Sequence, residues 1–229
     1  ELARVNFMAN DLGIDTIEAG AMIGVLMDVG EGPFGDVNFM VKVLEEIRKG
    51  SEQGRLWAQG TARVGKHYGA KRIPVIKQQA ISAYDPRVVE ATGITMMMTA
   101  QGADHTAGNL PKLDCRGMDA SQIVAASYGA QRMMAASDAL GICIFGRMVT
   151  DTHSAFIVEA INNALGTDFP ASYYNEIGKE TLRLEHEFNR AAGFTDQDDD
   201  LPDFFYTESL PPMNRVARFR GEEVNRFRE

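Results

Sequence analysis

One six-residue pattern occurs twice in this chain. Asn10-Asp-Leu-Gly-Ile-Asp15 and Asp138-Ala-Leu-Gly-Ile-Cys143 both read Asp/Asn-x-Leu-Gly-Ile-Asp/Cys. Each copy closes a run with helix-like spacing, and another such run follows it. A glycine just past a helix supplies the left-handed stop that residues with a β-carbon resist. Gly13 and Gly141 therefore predict two helix-to-helix corners of the same design. Each corner holds carboxylate or amide groups on a rigid turn and aims backbone N–H groups at a new helix start. An isolated Leu-Gly-Ile after a helix reads as an ordinary cap with an apolar contact. Two copies, one ending in a cysteine, point to two similar groups to be held.

The rest of the punctuation is also helical. Asp15 with Glu18, and Asp119 with Gln122, have the spacing of capping boxes. Asp36 and Ser51 stand where side chains cap helix starts, and Asp85-Pro86 reads as an N-cap followed by proline at the first helical position. Gly30, Gly50, Gly166 and Gly193 read as stops. Helices are predicted over 1–12, 15–29, 36–49, 85–99, 120–139, 150–165 and 173–192, with one or two short ones over 51–68. Gly20 and Gly24 leave one face of the second helix bare for close packing. Only Lys71–Ser82, with Ile73-Pro-Val-Ile76, prefers extended backbone. The predicted fold is mostly α, in two helical lobes with the functional site between them. Residues 1–80 form a truncated helical domain with the first corner. Residues 81–229 form a helical domain with the second corner and an extended C-terminal arm.

Several smaller features bear on function. Met96-Met97-Met98 reads as adaptable core filler. His105 lies between Gly102 and Gly108 beside Asp104, where a loop imidazole can face a ligand or simply bond locally. Glu176, Lys179, Glu180, Arg183, Glu187 and Arg190 make a solvated face. Phe204-Phe205-Tyr206 needs cover, and Arg215, Arg218, Arg220, Arg226 and Arg228 read as a charged terminus.

Composition excludes several classes. A net charge of −9 argues against nucleic-acid binding. No run of 18 apolar residues is available to span a membrane. Cys115 and Cys143 are the only cysteines, too few for a disulfide framework, which fits a reducing cytoplasm. Two thiolates also cannot complete a four-ligand site. There is no P-loop, GxGxxG or HExxH. The chain starts at Glu1 inside a helix-like run, which reads as part of a longer protein.

A carboxylate takes two parallel N–H donors well, and the 2-amino-4-oxo edge of a pterin offers such a pair. Here the doubled motif resembles the D-x-x-G-L-D/C signatures of the tungsten-dependent aldehyde:ferredoxin oxidoreductase family. Gly13-Ile-Asp-Thr-Ile-Glu-Ala-Gly20, Tyr84-Asp-Pro-Arg87 and Gly102-Ala-Asp-His-Thr-Ala-Gly108 look like that family too, in the same order. The resemblance covers essentially the whole chain, as the last two of three domains.

It implies a tungsten-bis-pterin cofactor and a 4Fe–4S cluster. Asn10, Gly13, Ile14 and Asp15 would hold one pterin, and Asp138, Gly141 and Ile142 the other. Cys143 would be a cluster ligand and His105 a catalytic proton carrier. The implied reaction oxidises a small aldehyde with water to a carboxylic acid and passes electrons to ferredoxin. The remaining cluster ligands and a pterin-covering domain would precede Glu1, and a homo-oligomer is left open. Asn10 stands where the signature has Asp, Ile14 and Ile142 where it has Leu, and Ala107 where a basic residue is frequent. Two alternatives stand beside this reading. One is a related tungstoenzyme reducing an aromatic thioester; the other is a non-catalytic helical domain that binds partners.

Overall fold

The computed structural model describes residues 1–146 and 152–228. The chain is mostly α-helical, with one two-stranded antiparallel sheet among the described residues. Two compact units are formed, Glu1–Ala83 with Leu201–Val216, and Tyr84–Asp200 with Ala217–Glu229.

The first unit contains α1 (Leu2–Leu12), α2 (Thr16–Asp28), α3 (Val37–Lys49), α4 (Glu52–Trp57) and α5 (Thr61–His67). Strands β1 (Val75–Ile76) and β2 (Gln79–Ala80) pair in the stretch read as extended. The core joins Met22, Ile23, Leu26 and Met27 of α2 to Phe39, Val43, Trp57 and Val64. Burying side chains of this size is worth about 1.5–3 kcal/mol each. The Trp57 indole N–H donates to the Tyr68 hydroxyl at 3.2 Å, so the largest core ring leaves no orphaned donor. Asp36 and Ser51 cap α3 and α4 as read, with Gly50 left-handed between them. A β-carbon on Gly20 or Gly24 would meet nothing within 4 Å. Their bare face is therefore not the close-packing surface the spacing implies.

Asp15 caps α2, accepting from the Glu18 N–H at 2.7 Å, but the reciprocal half of the box is missing. The Glu18 carboxylate is engaged elsewhere. It accepts from the Thr61 N–H at 2.5 Å and the Ala80 N–H at 2.9 Å. The start of α5 has only Gly60 as its own cap, so Glu18 supplies the missing acceptor and ties β2 to the same point.

The second unit contains α6 (Glu90–Met98), α7 (Ala120–Ala139), α8 (Ser154–Leu165), α9 (Tyr173–Ala191) and a short terminal α11 (Gly221–Asn225). The predicted start of the 150–165 helix at Thr150 lies outside the described residues. Helix α6 starts later than Asp85-Pro86 suggests. The Asp85 carboxylate is held by the Arg87 guanidinium, at 2.9 Å to Nε and 2.6 Å to Nη2, and also accepts the Arg87 N–H. Pro86 instead packs on Gly93, where a β-carbon would come within 2.7 Å of the ring. Met96, Met97 and Met98 are fully buried, as core filler should be. The Asp119 box on α7 is complete in both directions.

Helices α7 and α9 cross at Gly178. A β-carbon there would stand 2.0 Å from the Arg132 carbonyl oxygen, so only glycine permits this approach. Beside the crossing, the Ser137 and Tyr174 hydroxyls meet at 2.6 Å inside the cluster of Ala136, Val158 and Tyr174.

The C-terminal stretch is more fastened than a charged terminus. Phe204–Thr207 forms a helical turn, α10, with Phe205 buried in the first unit. In the second unit Arg218 forks onto Glu90 at 2.7 Å twice and donates to the Cys115 and Met118 carbonyls at 3.0 Å. Arg228 pairs with Asp199, which is almost wholly buried, and with Asp196.

Candidate functional site

The two corners are built alike. In the first, Gly13 takes φ 70°; its N–H donates to the Asn10 carbonyl at 3.0 Å, and the Ile14 N–H to the Ala9 carbonyl at 3.1 Å. In the second, Gly141 takes φ 71°; its N–H donates to the Asp138 carbonyl at 2.9 Å, and the Ile142 N–H to the Ser137 carbonyl at 2.8 Å. These are the two bonds of a Schellman cap in the same register. The repeated sequence thus fixes the backbone, and the differing side chains decide what each corner does.

The first corner belongs to the first unit. Asn10 is exposed, and its side chain makes no hydrogen bond among the described residues. Ile14 is half-buried, and Asp15 is committed to capping α2. Asp15→Ala is therefore expected to cost about 0.5–2 kcal/mol, as N-cap losses do. Denaturant unfolding of the purified protein measures it, and an unchanged midpoint contradicts the cap.

The second corner belongs to the second unit. Asp138 sits in the last turn of α7, where the helix dipole disfavours a negative charge. Its carboxylate makes no hydrogen bond among the described residues. Asp138 is exposed, but partial desolvation of its carboxyl, and then the nearby Asp104 carboxylate, push that carboxyl above its ordinary range. Glu185 of α9 is pushed up as well, first by burial and also by Asp138, against a hydrogen bond from Gln101. Asp138 thus lies in the field of two other carboxyl groups, Asp104 and Glu185. Cys143 follows as an exposed free thiol, while Cys115 is buried and donates to the Leu113 carbonyl.

His105 opens a 3₁₀ turn, His105–Ala107, capped by Asp104. The Asp104 carboxylate accepts from both the N–H and the hydroxyl of Thr106 at 2.7 Å. That leaves His105 Nδ1 at 3.9 Å, too far for a hydrogen bond, and this nitrogen is buried without a partner. The ring stacks on Tyr84 at 5.1 Å and 25°. His105 is therefore a half-buried, ring-clamped imidazole with one nitrogen unengaged, and not a freely exposed loop side chain.

The second unit brings Asp104, His105 and Asp138 into one region by chain and charge. Glu185 joins them, although the sequence reading omitted it. Its signal was position. Tyr174, Gly178, Leu182, Glu185 and Asn189 follow the buried stripe of α9, and a carboxylate on such a stripe is unusual.

The family pattern described as "Aldehyde ferredoxin oxidoreductase, domains 2 & 3" matches residues 1–227. The chain belongs to the aldehyde ferredoxin oxidoreductase family. It is 26% identical over 236 residues to a tungsten-containing aldehyde ferredoxin oxidoreductase of Pyrococcus furiosus, covering 92% of this chain and 38% of that protein. The corresponding proteins of Pyrococcus horikoshii and Pyrococcus abyssi are 28% and 27% identical, each over 92% of this chain and 39% of the relative. The chain thus spans about two fifths of the length of these relatives.

The donor set fits a pterin better than it fits a cluster. Asp138 offers an unengaged carboxylate at a glycine-stopped corner, and Asn10 an unengaged amide at the matching point of the other. For a cluster the chain offers one exposed thiolate, and no group of three or more potential metal ligands occurs among the described residues. No helix among them is long and apolar enough to cross a membrane.

Proposed function

We propose that this chain is the pterin-gripping portion of a tungsten oxidoreductase that oxidises small aldehydes to carboxylic acids with ferredoxin as acceptor. The observation that carries it is the repeated corner with its idle polar groups, in a chain of this family. Asp138 at one corner and Asn10 at the other accept N–H bonds from the amino-pyrimidine edge of one pterin each. Ile14 and Ile142 give the heterocycles an apolar neighbour, and Gly13 and Gly141 hold the backbone in place for them. Asp15 serves two ends, as helix cap and pterin contact.

When bound, the metal–pterin centre would supply the two-electron oxidation of an aldehyde plus water to a carboxylic acid, two protons and two electrons. Cys143, the exposed thiol, would provide one thiolate to a 4Fe–4S cluster. His105 takes up a proton released at the substrate oxygen. Two free cysteines and a ferredoxin acceptor fit a reducing, cytoplasmic setting.

Metal and pterin analysis of the protein carrying this chain, produced with tungstate, tests the reading. Tungsten with two pterins per chain and aldehyde-dependent ferredoxin reduction are expected. A soluble, folded protein without pterin would return the corners to plain helix caps and favour a partner-binding domain.

A further inference from the structure

The second unit holds a cavity of about 360 Å³ where α7 and α9 lie together, with Arg228 also in its lining. The proposed redox chemistry makes no use of it. Its wall is cationic in a chain of net charge −9: Arg132, Lys179, Arg183, Arg190 and Arg228 stand against the carboxylates Glu176 and Glu180. Part of that charge is already balanced. Arg183 pairs with Glu180 and Glu187, and Arg228 with Asp199 and Asp196. Lys179 and Arg190 make no ion pair among the described residues, and the Arg132 guanidinium stands 6.0 Å from the Tyr128 ring centre.

In this wall the Tyr128 hydroxyl and Nε of Arg228 are buried and make no close hydrogen bond, although the two side chains face each other. Tyr128 is only 5% exposed, so solvent does not satisfy its hydroxyl. Both atoms can donate, and buried donors are ordinarily satisfied. Guanidinium and ammonium groups in a recess are the usual receivers of phosphate and carboxylate oxygens. The volume lies within the range of small-molecule sites and exceeds what one phosphate fills.

We infer that this cavity binds a small ligand with an oxyanion group, a phosphate ester or a dicarboxylic acid, whose oxygens accept from Tyr128 and Arg228 and whose charge is met by Lys179 and Arg190. Its occupation joins α7 to α9 and to the C-terminal segment that brings Arg228. Because binding favours the folded state, the ligand also stabilises this unit.

Calorimetric titration of the purified protein with inorganic phosphate, with succinate and with chloride as a control tests the inference, and it does not depend on cofactor loading. Saturable binding of phosphate or succinate but not chloride is expected, weaker at high salt. The stronger of the two identifies the ligand class. Tyr128→Phe and the double variant Lys179→Ala/Arg190→Ala should each weaken binding roughly tenfold, the loss of one charge-assisted hydrogen bond. Tyr128→Phe removes one buried oxygen that makes no close hydrogen bond, so its melting temperature without ligand should be nearly unchanged, separating lost binding from lost folding. No saturable binding of either oxyanion, or equal binding by wild type and both variants, overturns the inference.

Discussion

Replacing His105 with alanine is expected to lower aldehyde turnover by roughly 10²–10⁴-fold, the usual contribution of a positioned proton carrier, while tungsten and pterin stay bound. The argument is geometric. Asp104 is occupied by the Thr106 N–H and hydroxyl, so it does not engage His105 Nδ1. Tyr84 clamps the ring face, which fixes its plane without using either nitrogen. An imidazole held this way can exchange a proton with a substrate oxygen at little cost in reorganisation. Neither corner includes His105, so cofactor content should not follow the rate. Steady-state kinetics alongside tungsten analysis of the variant gives the answer. An unchanged rate would leave His105 as a packing partner of Tyr84.

Much of the fold was legible because its signals are local. Gly13, Gly50, Gly141, Gly166 and Gly193 all adopt the positive φ that a helix stop requires. Asp36, Ser51 and Asp119 cap where their spacing says. What sequence reading missed involves competition between distant groups for one side chain. Glu18 is three residues from its cap partner but reaches Thr61 and Ala80, because α5 lacks a capping side chain of its own. Asp85 is lost to Arg87, which displaces the start of α6 to Glu90. Arg218 and Arg228 are tied to Glu90 and Asp199, partners far away in sequence.

The candidate site divides in the same way. The corners were readable because the motif repeats and because Schellman geometry depends on neighbours only. Glu185 was not, since its meaning depends on α9 lying over α7 and bringing a carboxyl towards Asp138. The clamp of Tyr84 on His105 likewise joins residues whose loops are separated by all of α6.

Asp138→Ala carries the second large effect, and it discriminates between a pterin corner and a helix cap. The carboxyl of the exposed Asp138 is raised by partial desolvation and by Asp104, so folding disfavours its charged form relative to the unfolded chain. The sign follows from linkage. A carboxyl raised in the folded state is harmless below the ordinary carboxylate range, and its ionised form opposes folding as pH rises past the folded value. The dipole at the end of α7 acts in the same direction. Removing this carboxylate should leave the melting temperature of the cofactor-free protein at neutral pH unchanged or raised, with any gain vanishing in acid. The same change removes the acceptor for one pterin, so bound pterin and tungsten should fall steeply.

The most direct measurement is therefore pterin and tungsten content of Asp138→Ala beside wild type, with melting of both cofactor-free proteins at neutral pH. The account predicts a protein that folds as well as wild type and holds little tungsten. Full tungsten and pterin in Asp138→Ala would contradict it, and the doubled corner would then be a helix stop used twice.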